Sequence, residues 1–307
     1  MKLIPLERNT TQTLLGIRFW DRVTNRVIDD GLQVTAQRLS DDRTQRLGKI
    51  VVGKPTPSGV IAFFGLASEE TPASSDPQLW DSEPAKQLVS IDLVDRLSRF
   101  LPVSFVAQLP FRGVFCGQED WPKPPRLNPE GSPIQSIGVQ LWSSPTRPVP
   151  PGQAVIRAQV VVGGGVNAPP AAYALVRVQR SLLEDGFDHY GMTDERGTLL
   201  LPMPYPAIPD PPIGDPYPSL DRQIFPLSVT IQYEANPSVL PSSDVPSLEN
   251  LLTQSSSNIA IHRVDESTLE FRNNLPVALR FGRSLILGTA VSPGSAEVES
   301  VLRIQSA

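Results

Sequence analysis

Residues Leu14–Asp21 read LLGIRFWD, a run of apolar and aromatic strand formers that ends on an aspartate and a polar turn, Arg22–Arg26. The chain resumes with Val27–Ile28, turns again at Asp29-Asp30-Gly31, and enters Leu32–Gln37 (LQVTAQ). That last segment alternates apolar and polar side chains, so one face is buried and the other wet. Working outward, the same pattern of short runs and turn residues recurs at Lys49–Val52 (KIVV), Gly59–Leu66 (GVIAFFGL), Leu88–Asp92 (LVSID), Pro102–Gln108 (PVSFVAQ) and Gly113–Phe115 (GVF). Pro55, Pro57 and Gly59 mark the turn between the first two.

The composition agrees. Of 307 residues, 33 are proline and 40% are hydrophobic. Proline inside a helix removes a backbone donor and clashes with the preceding turn, which excludes helical bundles, coiled coils and a compact α/β enzyme fold. About seven short strands by residue 117 fit a β-sandwich of immunoglobulin or transthyretin type. A second β region follows at Ala154–Val162, Ala172–Gln179, Gly191–Thr193, Thr198–Leu201 and Phe225–Tyr233. Further strand-like runs close the chain: Ile259–Arg263, Thr268–Arg272, Val277–Arg280, Ser284–Thr289 and Glu297–Ile304. Ser247–Gln254 is the best helix candidate, with Ser247 as its cap. The expectation is an all-β protein of two or three sandwich modules: 1–118, a proline-rich linker or crossover over 119–152 with one strand at Ile137–Trp142 inside it, 153–236, and 237–307. The last part either completes the second module or forms a small third one. Residues 122–133 and 202–218 are the densest in proline and read as stiff, extended connections.

With 27 basic and 32 acidic side chains the net charge is −5, which argues against a nucleic-acid footprint. The one cysteine, Cys116, cannot form an internal disulfide and reads as a buried strand-end hydrophobe. MKLIPLERNT has no apolar run of secretory type, and no stretch approaches the ~20 residues that span a bilayer, so a cytoplasmic chain is expected.

Only His189 and His262 supply imidazoles. His189 lies in Glu184–Glu195 (EDGFDHYGMTDE), whose five carboxylates offer oxygen ligands for a cation but lack a calcium-loop spacing. The window reads first as a hairpin tip with solvated side chains, and His262 as a sheet-surface residue. Gly163-Gly164-Gly165 follows a strand, but no Lys-Ser/Thr follows it and Pro169-Pro170 blocks a helix, so it is a hairpin turn. Asn9-Thr10-Thr11 matches a glycosylation acceptor, which carries nothing without a secretory signal. No catalytic residue, cofactor site or metal site is assigned. Trp80 and Trp121 sit in proline-rich loops, and with Tyr205 and Tyr217 they are the candidate partner contacts.

The opening LLGIRFWDRVTNRVIDDGLQVTA resembles transthyretin-like and carboxypeptidase-regulatory-like modules, and GMTDERGTLLL resembles their G-x-T-D-x-x-G hairpin. The resemblance implies that Asp194 bonds local backbone and that Gly197 supplies a turn conformation. DRLSRFLPVSFVAQLPFRGVF, PPGQAVIRAQ and TDERGTLLLPMPYP together resemble proteins of contractile injection systems, the phage-tail-like particles of bacteria. That implies a non-enzymatic structural or adaptor subunit, oligomeric among other protein subunits, touching them through loop aromatics and edge strands such as Val277–Arg280. Two other readings stand beside it: a carbohydrate- or ligand-binding sandwich using Trp80 or Trp121, and an enzyme centred on His189.

Overall fold

A computed structural model describes residues 13–66, 86–111, 113–117, 138–180, 188–206, 219–265 and 268–305. Among these the regular secondary structure is almost entirely strand, as the alternation requires. The first half contributes β1 (Gly16–Ile17), β2 (Phe19–Asp21), β3 (Arg26–Ile28), β4 (Leu32–Leu39), β5 (Arg46–Val52), β6 (Lys54–Pro55), β7 (Ile61–Ala62), β8 (Gln87–Asp95) and β9 (Val103–Leu109). After the interval 118–137 comes β10 (Val139–Leu141). These strands form a four-stranded sheet β5-β4-β8-β9 and two three-stranded ones, β1-β7-β6 and β10-β2-β3.

LLGIRFWD does not run as one strand. It breaks at Arg18, so that β1 pairs with β7 while β2 pairs with β3 and β10. The Arg18 backbone serves both neighbours: its N–H donates to the Phe115 carbonyl (3.2 Å) and its carbonyl accepts from Val139 (2.7 Å). β10 runs parallel to β2, an approach that requires glycine at 138, where a Cβ would lie 2.6 Å from the Arg18 carbonyl oxygen. From Gly138 onward the expected linker is therefore hydrogen-bonded into the first sheets. Leu15, Ile17, Phe19, Ile91, Phe105 and Val139 are among the side chains of the resulting core.

The second half supplies β11 (Ala154–Val162), β12 (Leu175–Arg180), β13 (Asp188–Met192), β14 (Thr198–Met203), β15 (Ile224–Gln232), helix α1 (Leu248–Leu252), β16 (Ser256–Ser257), β17 (Ile259–Arg263), β18 (Leu269–Arg272), β19 (Leu275–Arg280), β20 (Leu285–Leu287) and β21 (Leu302–Ile304). One sheet centres on β11, with β14 antiparallel on one side and β20 and β21 parallel beyond it, and continues through β17 to β18. The other runs β13-β12-β15, with β16 and β19 also pairing to β15. Ile156, Val176, Val229, Ile259 and Ile304 belong to the core they enclose. Pro202 closes β14 as a sheet-edge residue, a position proline tolerates because no further partner needs its N–H.

Residues 238–252, polar and turn-rich by sequence, reach across to the first core. Leu240 packs on Leu39 and Val106, Ser247 bridges to Ser104 of β9, and Leu248 and Leu251 of α1 join the first hydrophobic cluster. Arg43 pairs with Glu249 at 3.2 Å. Ser247 occupies the N-cap position expected of it, but its side chain makes no capping bond; its Oγ is buried without a partner.

Candidate functional site

The sequence window singled out for chemistry, Glu184–Glu195, is pulled apart by the β13–β14 hairpin. Asp188 begins β13 and accepts two hydrogen bonds from Arg177, each 2.9 Å, and one from the Tyr190 hydroxyl at 3.1 Å. Asp194 sits at the opposite end, in the turn, where its Oδ1 accepts from the N–H groups of Arg196 (2.9 Å) and Thr198 (2.7 Å). Glu184 and Asp185 lie outside the described residues. No group of three potential metal ligands occurs among the described residues.

The G-x-T-D-x-x-G stretch does what its residues imply. Thr193 donates to the Ala171 carbonyl (2.6 Å) and accepts from Ala174 N–H (2.8 Å), tying the hairpin to the preceding loop. Gly197 adopts φ +75° and stands so close to β11 that a Cβ would meet the Val160 carbonyl oxygen at 2.3 Å. Both the left-handed backbone and the contact exclude a side chain. Gly197→Ala is expected to destabilise the protein by about 2 kcal/mol, read from the shift of the urea midpoint at unchanged slope. An unchanged midpoint would refute the close contact.

Gly163–Gly165 is a turn, and its surroundings are opposite to those of a phosphate loop. The Arg303 guanidinium, 7% exposed, donates to the carbonyls of Gly163 (3.2 Å) and Gly165 (2.8 Å) and pairs with Glu299 at 2.8 Å. His262 lies on β17 and pairs across the strand with Glu270 of β18 at 3.1 Å. Cys116 is half-buried rather than buried, and burial pushes its thiol pKa up, away from reactivity.

Of the four candidate partner contacts, Trp80, Trp121 and Tyr217 lie outside the described residues. Tyr205 is half-buried in its own module: its ring packs against Phe281 (4.5 Å between centroids) and Phe225 (5.9 Å), and its hydroxyl accepts from Gly282 N–H at 2.9 Å.

The two cores meet at a polar junction that the sequence did not announce. Arg22, in the β2–β3 turn, donates to the Asp188 carbonyl across the junction. Its guanidinium lies 5.8 Å from the Tyr190 ring centre, and Arg177 lies 5.5 Å from the same ring. Beside this stack a small cleft, with room for about one water in its 20 Å³, is bounded by Arg22, Trp142, His189 and Tyr190. Trp142 is 4% exposed and its Nε1 has no hydrogen-bond partner. Burial, with the Arg22 charge adding to it, lowers the His189 pKa to about 4, so the imidazole is neutral at pH 7.

Behind the junction lies a buried ion pair. Arg147 donates to both carboxylate oxygens of Asp21, at 2.9 and 2.6 Å, and to Ser143 at 3.0 Å. Asp21 also accepts from Val23 and Thr24 N–H, closing the turn after LLGIRFWD. Arg147 and Arg99 both stand over Phe100, 4.9 and 5.3 Å from its ring centre. Their chemistry holds strands together.

A second concavity, of about 640 Å³, opens in the second module between β19 and β20. Leu275, Val277, Leu285, Ile286 and Val298 line it, with His262 and Arg272 on its wall.

No family model matches the chain, and no curated protein matches its sequence. Among solved structures, the minor pilin GBS52 of Streptococcus agalactiae aligns over 93% of this chain and 99% of its own at 6% identity, with a TM-score of 0.20.

Proposed function

We propose that the chain is a structural or adaptor subunit of a multi-component protein assembly, without a reaction of its own. The observation that supports this best is the strap formed by residues 238–252. A segment continuous with the second module's sheets places Leu248 and Leu251 in the first module's core. Together with the Arg22–Asp188 bond, it couples the two β units by direct packing, while the Gln254 bond to the Tyr173 carbonyl (2.9 Å) ties the end of the strap to the second module. Units coupled in this way hold a fixed spacing, which suits a part that sets distances inside a larger body. The imidazole, carboxylates and arginines at the junction are engaged in that packing.

The resemblance to contractile injection systems points to a phage-tail-like particle as the assembly and to the bacterial cytoplasm as the place where it forms. No helix among the described residues is long and apolar enough to cross a membrane. Tagged chain purified from its own cells is expected to bring down a fixed set of protein subunits and to sediment with a high-mass particle. A chain that light scattering shows as a monomer, alone and with its genomic neighbours, would overturn the proposal.

A further inference from the structure

The concavity between β19 and β20 is a gap at the side of a sandwich. β19 belongs to the sheet of β15, and β20 to the sheet of β11. Across β19 and β15, Ser228 opposes Pro276 and Pro226 opposes Ala278. Proline has no N–H, so these are the non-hydrogen-bonded positions of the ladder. The bond from Phe281 N–H to the Gln223 carbonyl (3.1 Å) fixes the same parity. The N–H and C=O of Ala278 therefore face away from β15, into the open side. Pro276 on one flank offers no donor, and the Arg280 carbonyl on the other already accepts from Arg283 N–H at 3.2 Å. The free edge is short, centred on one residue.

The walls around that edge are apolar and wet. Ile286 is 61% exposed and Val298 48%, and the volume of about 640 Å³ falls within the usual range for binding clefts. The rim carries charge of one prevailing sign. Arg280 and Arg283 are exposed and make no ion pair among the described residues. Arg280 is on the same face of β19 as Pro276 and Ala278. Arg272 shares Glu270 with His262; of the acids flanking Val298, Glu299 is already paired with Arg263 and Arg303, which leaves Glu297. On a chain of net charge −5, a cationic rim around an apolar groove selects an acidic partner.

We propose that this groove docks an extended segment of a partner subunit, with alternating apolar side chains seated against Val277, Ile286 and Val298 and an acidic residue at one end meeting Arg280 and Arg283. The segment pairs with the Ala278 N–H and C=O as a short added strand. The inference rests on the assembly reading for the existence of a partner, but the groove is tested independently of it.

The probe is a fluorescein-labelled peptide, Glu-Val-Thr-Val-Thr-Val-Glu, titrated with the full chain and followed by anisotropy. Saturable binding is expected, weakened at least about tenfold by Ala278→Pro, which removes the edge donor, and by Ile286→Asp, which charges the opposite wall. Both positions are exposed, so unchanged thermal midpoints will show that the variants fold. A Lys-flanked version of the peptide is expected to bind more weakly than the Glu-flanked one, and the order should reverse in Arg280→Glu/Arg283→Glu. Equal binding by a peptide with serine in place of valine, or binding indifferent to these variants, overturns the proposal. In cells, loss of a co-purifying subunit on Ala278→Pro supports it, and retention of every subunit by both groove variants overturns it while leaving the assembly reading intact. A wild-type chain that binds the peptide but captures nothing removes the assembly reading and leaves the groove standing.

Discussion

Arg147→Leu is expected to cost the protein about 3–5 kcal/mol, the largest effect of any single substitution considered for this chain. The Asp21 carboxylate is 1% exposed and Arg147 6%. Removing the guanidinium leaves an uncompensated charge in a site that water cannot reach, and it strips one cation from the face of Phe100. Leucine fills much of the volume, so the loss reports the charge more than a cavity. Asp21→Asn/Arg147→Leu tests this directly. Asparagine keeps an oxygen for Val23 N–H and carries no charge, so the double variant is expected to be more stable than Arg147→Leu alone. Urea unfolding of the four proteins gives the coupling; an Arg147→Leu midpoint equal to wild type would refute the buried pair.

The same pair has a pH signature. Burial alone would raise the Asp21 pKa, but the Arg147 and Thr24 hydrogen bonds outweigh it and hold the carboxyl below its ordinary value of 3.8. The stabilisation is therefore present in full above the unfolded carboxylate range and is lost as pH falls through the depressed native value. In Arg147→Leu that lowering influence is gone. The stability gap between the variant and wild type is expected to narrow as pH drops below about 4.

What was legible in the sequence is what neighbours along the chain decide. Alternation located β4, and segments rich in strand formers located β11 and β15, each to within two residues of the observed ends. The turn chemistry of Asp194 and Gly197 was readable because both partners of each hydrogen bond lie within four residues. The break at Arg18 was not, because Phe115 and Val139 decide it, from positions far along the chain. Arg147 carries no local signal at all: its partner is 126 residues away, and nothing in SSPTRPVPP distinguishes it from a solvated arginine. The strap had the same difficulty. Leu240, Leu248 and Leu251 are too sparse among polar residues to read as a core face, and they become one only against β9 and β4. Of the proline-dense stretches, 122–133 and 207–218 lie outside the described residues, while Pro202 stands within β14; the described coupling between the modules runs through 238–252 and Arg22.

Between about pH 7 and pH 4 the protein is expected to lose about 3 kcal/mol of stability through His189 alone. The groups around this imidazole come from several elements: Arg22 from the β2–β3 turn, Trp142 beyond β10, and Asp188 and Tyr190 beside it on β13, with Arg177 of β12 pairing to Asp188. Burial disfavours the imidazolium first, and Arg22 repels it, while Asp188 opposes them weakly because Arg177 already engages its carboxylate. The native pKa of about 4 lies below the ordinary 6.5. As pH falls through 6.5 the unfolded chain takes up a proton that the folded chain refuses, and the penalty grows until the native imidazole also titrates near 4. The cost is felt at the junction between the two cores, so Arg22 and the strap are expected to lose amide protection before the strands of either core. His189→Gln removes the titration. Its stability is lower than wild type at neutral pH through lost packing, and it declines less steeply in the same window. Matched pH slopes for the two proteins would rule out a buried neutral imidazole, and hydrogen exchange that quickens first in β11 or β8 would place the weak point away from the junction.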